Sequence, residues 1–220
     1  MAGEIKSFFL PGPSGKLEAL LNTGSPGAAH AALVAHPHPL YGGTMHNKVV
    51  FSAMKALNNL GFPALRFNFR GAGLSEGTHD HGRGEVEDVR AALDWLDREF
   101  HLPIIFAGFS FGAATGLRVC CPDRRVAGII SLGTPVEAEG RLYTYGFLRE
   151  CAKPKLFISG GHDQYGPLPE LQKVIDSVPE PKQFVIVEGV GHFFEGKLDQ
   201  VRSLIEHWVQ NKLLAAKHLE

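Results

Sequence analysis

The pentapeptide Gly108-Phe109-Ser110-Phe111-Gly112 restricts this chain more than any other stretch. It follows the apolar, β-type run Pro103-Ile104-Ile105-Phe106-Ala107 and precedes Ala113-Ala114-Thr115-Gly116-Leu117-Arg118-Val119, small residues that suit a helix. A strand that turns directly into a helix around one serine lifts its hydroxyl clear of the backbone, where a base can reach it. Glycines two residues to either side permit the turn, because a Cβ there would strike the neighbouring element. The pattern alone says little in a chain with 26 glycines. The strand before it and the helix after it give it weight.

The flanking sequence alternates between β-like and helix-like patterns. Residues 5–10 and 16–22 read as two strands joined by the turn-forming Pro11-Gly12-Pro13-Ser14-Gly15. Further strands are expected at 30–35, 62–69, 104–107, 126–132, 156–159 and 183–188. Helices are expected at 46–60, with Gly61 as a stop, at 85–100, and after Ser110. In the 85–100 helix, Val86, Val89, Leu93 and Leu96 share a face, and three acids in the first turn suit the helix dipole. A terminal helix places Leu198, Val201, Leu204, Ile205, Trp208 and Val209 along one stripe. Two antiparallel opening strands and then repeated β-α units predict an α/β fold: a mostly parallel sheet of about eight strands with helices on both faces. Residues 1–218 read as one domain, and 134–154 as a small flap, too short for a large cap. Leu219-Glu220 has the look of a cloning remnant and is set aside.

Composition excludes several function classes. The chain has 220 residues, 44% hydrophobic, with net charge -1. No basic excess calls for nucleic acid, and no apolar run is long enough to span a membrane. No signal peptide is visible at the start. Of the three cysteines, adjacent Cys120 and Cys121 are a poor disulfide pair, so reduced thiols and a cytoplasmic location are expected.

A serine hydroxyl needs a base, and the base needs an acid to fix its tautomer. In an open α/β sheet such groups gather at the carboxyl ends of strands. Asp163 follows the 156–159 strand within Gly160-Gly161-His162-Asp163-Gln164-Tyr165-Gly166-Pro167. His192 follows the 183–188 strand within Glu188-Gly189-Val190-Gly191-His192-Phe193-Phe194. The order Ser110, Asp163, His192 is the one such sheets use. With 11 histidines, no single one is informative by itself. An Asp in a glycine-rich loop is ordinarily a turn former. Joint placement after successive strands separates Asp163 and His192 from these plainer readings. His162 is the competing base; His101 and His207 read as surface or satisfied residues. The cluster His79-Asp80-His81 reads as solvated, and no metal is expected, because no second cluster matches it.

Acyl transfer also needs fixed donors for a developing oxyanion. The backbone N–H of Phe111 is one. The other is sought in His36-Pro37-His38-Pro39-Leu40-Tyr41-Gly42-Gly43-Thr44, where the prolines have no N–H to give. That leaves His38, alternatively Leu40, with a helix start beyond that favours negative charge.

These segments together resemble the α/β-hydrolase superfamily, and within it the small, lid-poor bacterial hydrolases that carry His-Pro-His-Pro-Leu-Tyr-Gly-Gly. The resemblance rests on that segment at 36–43, on Arg70-Gly71-Ala72-Gly73-Leu74-Ser75, on the serine turn and on the acid and histidine loops. It implies serine hydrolysis of carboxylic esters or related acyl bonds without a cofactor. Ser110, Asp163 and His192 fall at the triad positions and the Phe111 and His38 amides at the oxyanion positions. Asn68 departs from the pattern, since many relatives carry an acid there; the position is structural in the family. With no large cap, an open site and short-chain esters are expected. Of many aromatics, Tyr41 and Phe111 are placed near the site. A thioesterase or small peptidase would use the same triad, and a non-catalytic hydrolase-fold binding module is the reading from another class.

Overall fold

The computed structural model describes residues 4–138 and 140–215, so Leu219-Glu220 lies outside it. One eight-stranded sheet dominates, in the order β1-β2-β4-β3-β5-β6-β9-β10. Strands β1 (Ile5–Gly12) and β2 (Gly15–Asn22) form the antiparallel opening hairpin, and β2 pairs antiparallel with β4 (Ala64–Phe67). From there β3 (Ala31–Ala35), β5 (Ile104–Phe109), β6 (Val126–Leu132), β9 (Lys155–Gly160) and β10 (Lys182–Val187) run parallel.

The central strands are buried on both faces, and their side chains alternate between two cores. In β3, Ala31, Leu33 and Ala35 face one core while Ala32 and Val34 face the other. The first core is closed by α2 (Gly84–Phe100), α3 (Phe111–Cys120) and α4 (Leu168–Asp176), through residues such as Leu93, Leu117 and Leu171. The second is closed by α1 (Lys48–Asn59) and α5 (Leu198–Val209), through Val50, Leu57, Ile205 and Trp208. Asn47 caps α1, accepting from the Val49 N–H at 2.9 Å, and Gly61 takes a positive φ of 85° just past its end.

Several expectations need correction. The nine-residue α4 was not anticipated. Glu85 stands in the first turn of α2, where the helix dipole favours an acid, but it is fully buried, as is Asp88 just beyond. Asp88 grips Arg70 through paired contacts of 2.7 and 3.0 Å, with the arginine side chain only 9% exposed. The cysteines also differ: Cys121, just past α3, is joined by a disulfide to Cys151, with Cα atoms 5.2 Å apart, leaving buried Cys120 free. The expectation of reduced thiols weighed only the adjacent pair. A disulfide removes the cysteine argument for a reducing compartment.

The 134–154 flap folds as a hairpin of β7 (Glu137–Ala138) and β8 (Arg141–Leu142), then a 3-10 turn at Gly146–Glu150. It is anchored by the disulfide and by Tyr145, whose hydroxyl donates to the Pro135 carbonyl at 2.6 Å. Among the described residues no helix is long and apolar enough to cross a membrane.

Candidate active site

Ser110 joins β5 to α3 with φ 55° and ψ -118°. A non-glycine residue there carries on the order of 1–3 kcal/mol of strain, which its surroundings must hold in place. Its N–H donates to Leu132 O at 2.9 Å, and its carbonyl accepts from the Ala114 N–H at 3.0 Å. The two glycines give the clearance. A Cβ on Gly108 would lie 2.6 Å from Ala113 Cα, and one on Gly112 would collide with the backbone of Ala35 and His36.

Asp163 and His192 meet across the ends of β9 and β10. His192 Nδ1 lies 2.8 Å from Asp163 Oδ2 and 2.9 Å from Oδ1. Both side chains are buried, at 0% and 3% exposure. Asp163 Oδ1 also accepts the N–H groups of Tyr165 at 2.9 Å and Gly166 at 3.2 Å. A carboxylate held this way accepts a hydrogen bond from Nδ1–H and leaves Nε2 as the accepting nitrogen. The imidazole is boxed by Phe109, Tyr165 and Phe193, with ring centroids 4.8, 4.7 and 5.2 Å away. His162 stays outside this arrangement.

Ser110 and His192 open onto one small cleft of about 80 Å³. Tyr41, Tyr143, Tyr165 and Phe193 contribute to its walls, and among the described residues no Lys, Arg, Asp or Glu lines it. Among the described residues no hydrogen bond joins the Ser110 hydroxyl to the ring. Hydrogen bonds between catalytic groups are often long without substrate and tighten only in its complex. The Phe111 side chain is not a wall of the cleft. It is buried against Phe69, His38 and His79. Tyr165 and Asn47, which do line the cleft, were not singled out from sequence; the Tyr165 signal was its place two residues after Asp163.

The loop after β3 is fixed by its histidines. His36 is buried; its Nδ1 donates to Pro37 O at 2.6 Å while its Nε2 accepts the Phe69 N–H at 2.9 Å. Burial lowers its pKa to about 4, so the ring is neutral near pH 7. His38 caps the 3-10 turn Pro39–Tyr41, and its Nδ1 accepts the Leu40 N–H at 3.3 Å. That engages the Leu40 donor and leaves the His38 N–H as the loop's free candidate. Burial and the neighbouring His79 lower the His38 pKa to about 4 as well. The first N–H groups of α1 are met by Asn47, so the helix start is already capped.

The His79-Asp80-His81 cluster divides. His81 is exposed, but the His79 side chain is only 5% exposed, against the expectation of a solvated pair. Among the described residues no group of three or more His, Cys, Asp or Glu could hold a metal ion. Asn68 is buried. Its Oδ1 accepts the Met45 N–H at 2.8 Å and its Nδ2 donates to Glu18 Oε2 at 2.7 Å, a strut between the opening hairpin and the loop before α1.

Residues 29–219 match the family model described as the alpha/beta hydrolase domain. The chain belongs to the α/β-hydrolase family. It is 40% identical to an alpha-beta serine hydrolase homologue from Coxiella burnetii, over 94% of this chain and 97% of that one, with a TM-score of 0.84. A Xanthomonas campestris protein described as a serine hydrolase without lid is 32% identical over 96% and 95% of the two chains, with a TM-score of 0.83. An uncharacterized protein of Rickettsia prowazekii is 32% identical over 93% of this chain and 89% of its own length. In this α/β hydrolase, Ser110 follows β5, Asp163 follows β9 and His192 follows β10. All three therefore sit beyond the carboxyl ends of parallel strands, where open α/β sheets bind ligands.

Proposed function

We propose that this α/β hydrolase is a serine esterase that cleaves short-chain carboxylic esters through an acyl-enzyme. Ser110 Oγ attacks the ester carbonyl while His192 Nε2 takes the hydroxyl proton. Asp163 holds the imidazole and stabilises its charged form. The carbonyl oxygen, now negative, accepts from the Phe111 and His38 amides. Collapse expels the alcohol, which leaves with the proton from His192. Water then attacks the acyl-serine, giving up its proton to the same ring, and the acid departs with Ser110 restored. No cofactor enters either half.

The observation that carries this reading is the strained Ser110 opening onto the same cleft as a buried imidazole 2.8 Å from a buried carboxylate. A cleft with aromatic walls and no charged lining favours neutral acyl groups, and its modest volume favours short ones. Hydrolysis rates over p-nitrophenyl esters of increasing acyl length test it. The expected maximum lies at short chains and is abolished in Ser110→Ala. A maximum at C12 or longer, or an undiminished Ser110→Ala, would defeat it.

A further inference from the structure

Behind the cleft lies a buried carboxylate–imidazole pair that the proposed reaction does not use. Glu85, at the start of α2, is fully buried. Its Oε1 accepts the Asp80 N–H at 2.8 Å and its Oε2 accepts the Gly82 N–H at 2.7 Å, so it shapes the loop before α2. The same carboxylate lies 2.7 Å from His79 Nδ1. His79 projects from this loop against two other rings, which also touch each other. Its centroid is 4.6 Å from that of His38 and 5.5 Å from that of Phe111, and those two rings lie 4.8 Å from each other.

Neither ring nitrogen of His79 has an aligned hydrogen-bond partner among the described residues. Burying an imidazole on such terms costs stability. A hydrophobic ring would fill the same space without that cost, and departures from local rules of this kind concentrate at functional positions. Besides His81 and Glu85, His79 touches the two residues whose backbone N–H groups are assigned to the oxyanion. Oxyanion stabilisation depends on both donors pointing at one atom at once. The His38 donor sits on a loop and the Phe111 donor on a helix start, so their alignment depends on how the two side chains pack, and His79 rests against both.

We propose that His79, seated on Glu85, is a positioning residue that braces the touching His38 and Phe111 side chains and so holds their two amides in alignment. This rests on the esterase reading. The planar ring braces the pair, and Glu85 fixes the loop from which it projects. Arg141 of β8 closes the same loop from outside, donating from Nη1 to His81 O at 2.7 Å.

The test compares His79→Ala and His79→Phe with the parent protein on one short p-nitrophenyl ester, with thermal melts as the folding control. His79→Ala removes the brace. Its kcat should fall on the order of 10- to 100-fold with KM within about 3-fold, as for a misplacement near 1 Å. Affinity for an aryl boronic acid, which forms a tetrahedral anion on the serine, should fall with kcat. His79→Phe keeps a ring of similar shape and should retain most of the parent kcat. Unchanged kcat in a folded His79→Ala overturns the proposal. So does a folded His79→Phe that loses more than about 10-fold, which is decisive even if the alanine variant does not fold. A parent protein without ester hydrolysis would defeat the esterase reading itself, whereas an active parent with indifferent variants defeats this inference alone.

Discussion

Ser110 stands where local sequence and long-range geometry agree. Its positive φ is tolerated because Gly108 and Gly112 let β5, α3 and the β3 loop close around it. Gly112→Ala should therefore give protein that is insoluble or inactive, checked by expression yield and melting. On the esterase reading, Asp163→Asn should lower kcat by about four orders of magnitude, since a carboxamide lets the ring adopt the wrong tautomer. Steady-state kinetics with intact circular dichroism reads this directly. Asn68 offers a sharper structural test. Its amide donates to Glu18, so Asn68→Asp sets two carboxylates against each other at a buried site. It should destabilise by about 1–3 kcal/mol near neutral pH, measured by urea unfolding, and by less in acid, where one of the carboxylates takes up a proton.

Elements were legible to the degree that their signals were local. The strand expected at 126–132 matches β6 residue for residue, because a run of β-branched and apolar residues is bounded by turn-formers on both sides. The strand expected at 62–69 is trimmed to β4, since Asn68, Phe69 and Arg70 leave the ladder to serve the loops: Asn68 as the strut, Phe69 as donor to His36 and Arg70 as partner of Asp88. Helix α4 was missed because it is short and begins among two prolines, so periodicity had little length to register. Burial of Glu85, Asp88 and His79, and the Cys121–Cys151 pair, depend on partners 6 to 41 residues away and have no signature in spacing. The Arg70–Asp88 pair ties the loop after β4 to α2. Asp88→Ala should cost about 3–5 kcal/mol by stranding a buried guanidinium, whereas replacing both residues with apolar side chains should recover much of it. Chemical denaturation of the three variants checks the order.

At the scale of the molecule, the sheet collects Ser110, Asp163 and His192 at one rim, beside a short flap. The same architecture makes the fold sensitive to acid through His36. In the folded chain its pKa is about 4, against 6.5 in an unfolded one. Above pH 6.5 the ring is neutral in both states and the fold keeps its full stability. As pH falls from 6.5 toward 4, the unfolded chain takes up a proton that the native ring refuses, so stability declines, by on the order of 3 kcal/mol from this residue, and then levels. NMR titration of the His36 ring should place its protonation near pH 4, and a midpoint near 6.5 would contradict the buried assignment.

The central claim is that one serine, activated by its neighbours across the sheet, is the group that reacts. Covalent labelling with a fluorophosphonate, with the modified residue located by mass spectrometry, tests it most directly. The account predicts one adduct, on Ser110, that forms rapidly in the parent protein and is strongly slowed in His192→Ala. An unlabelled protein, or an adduct on any other residue, would contradict it.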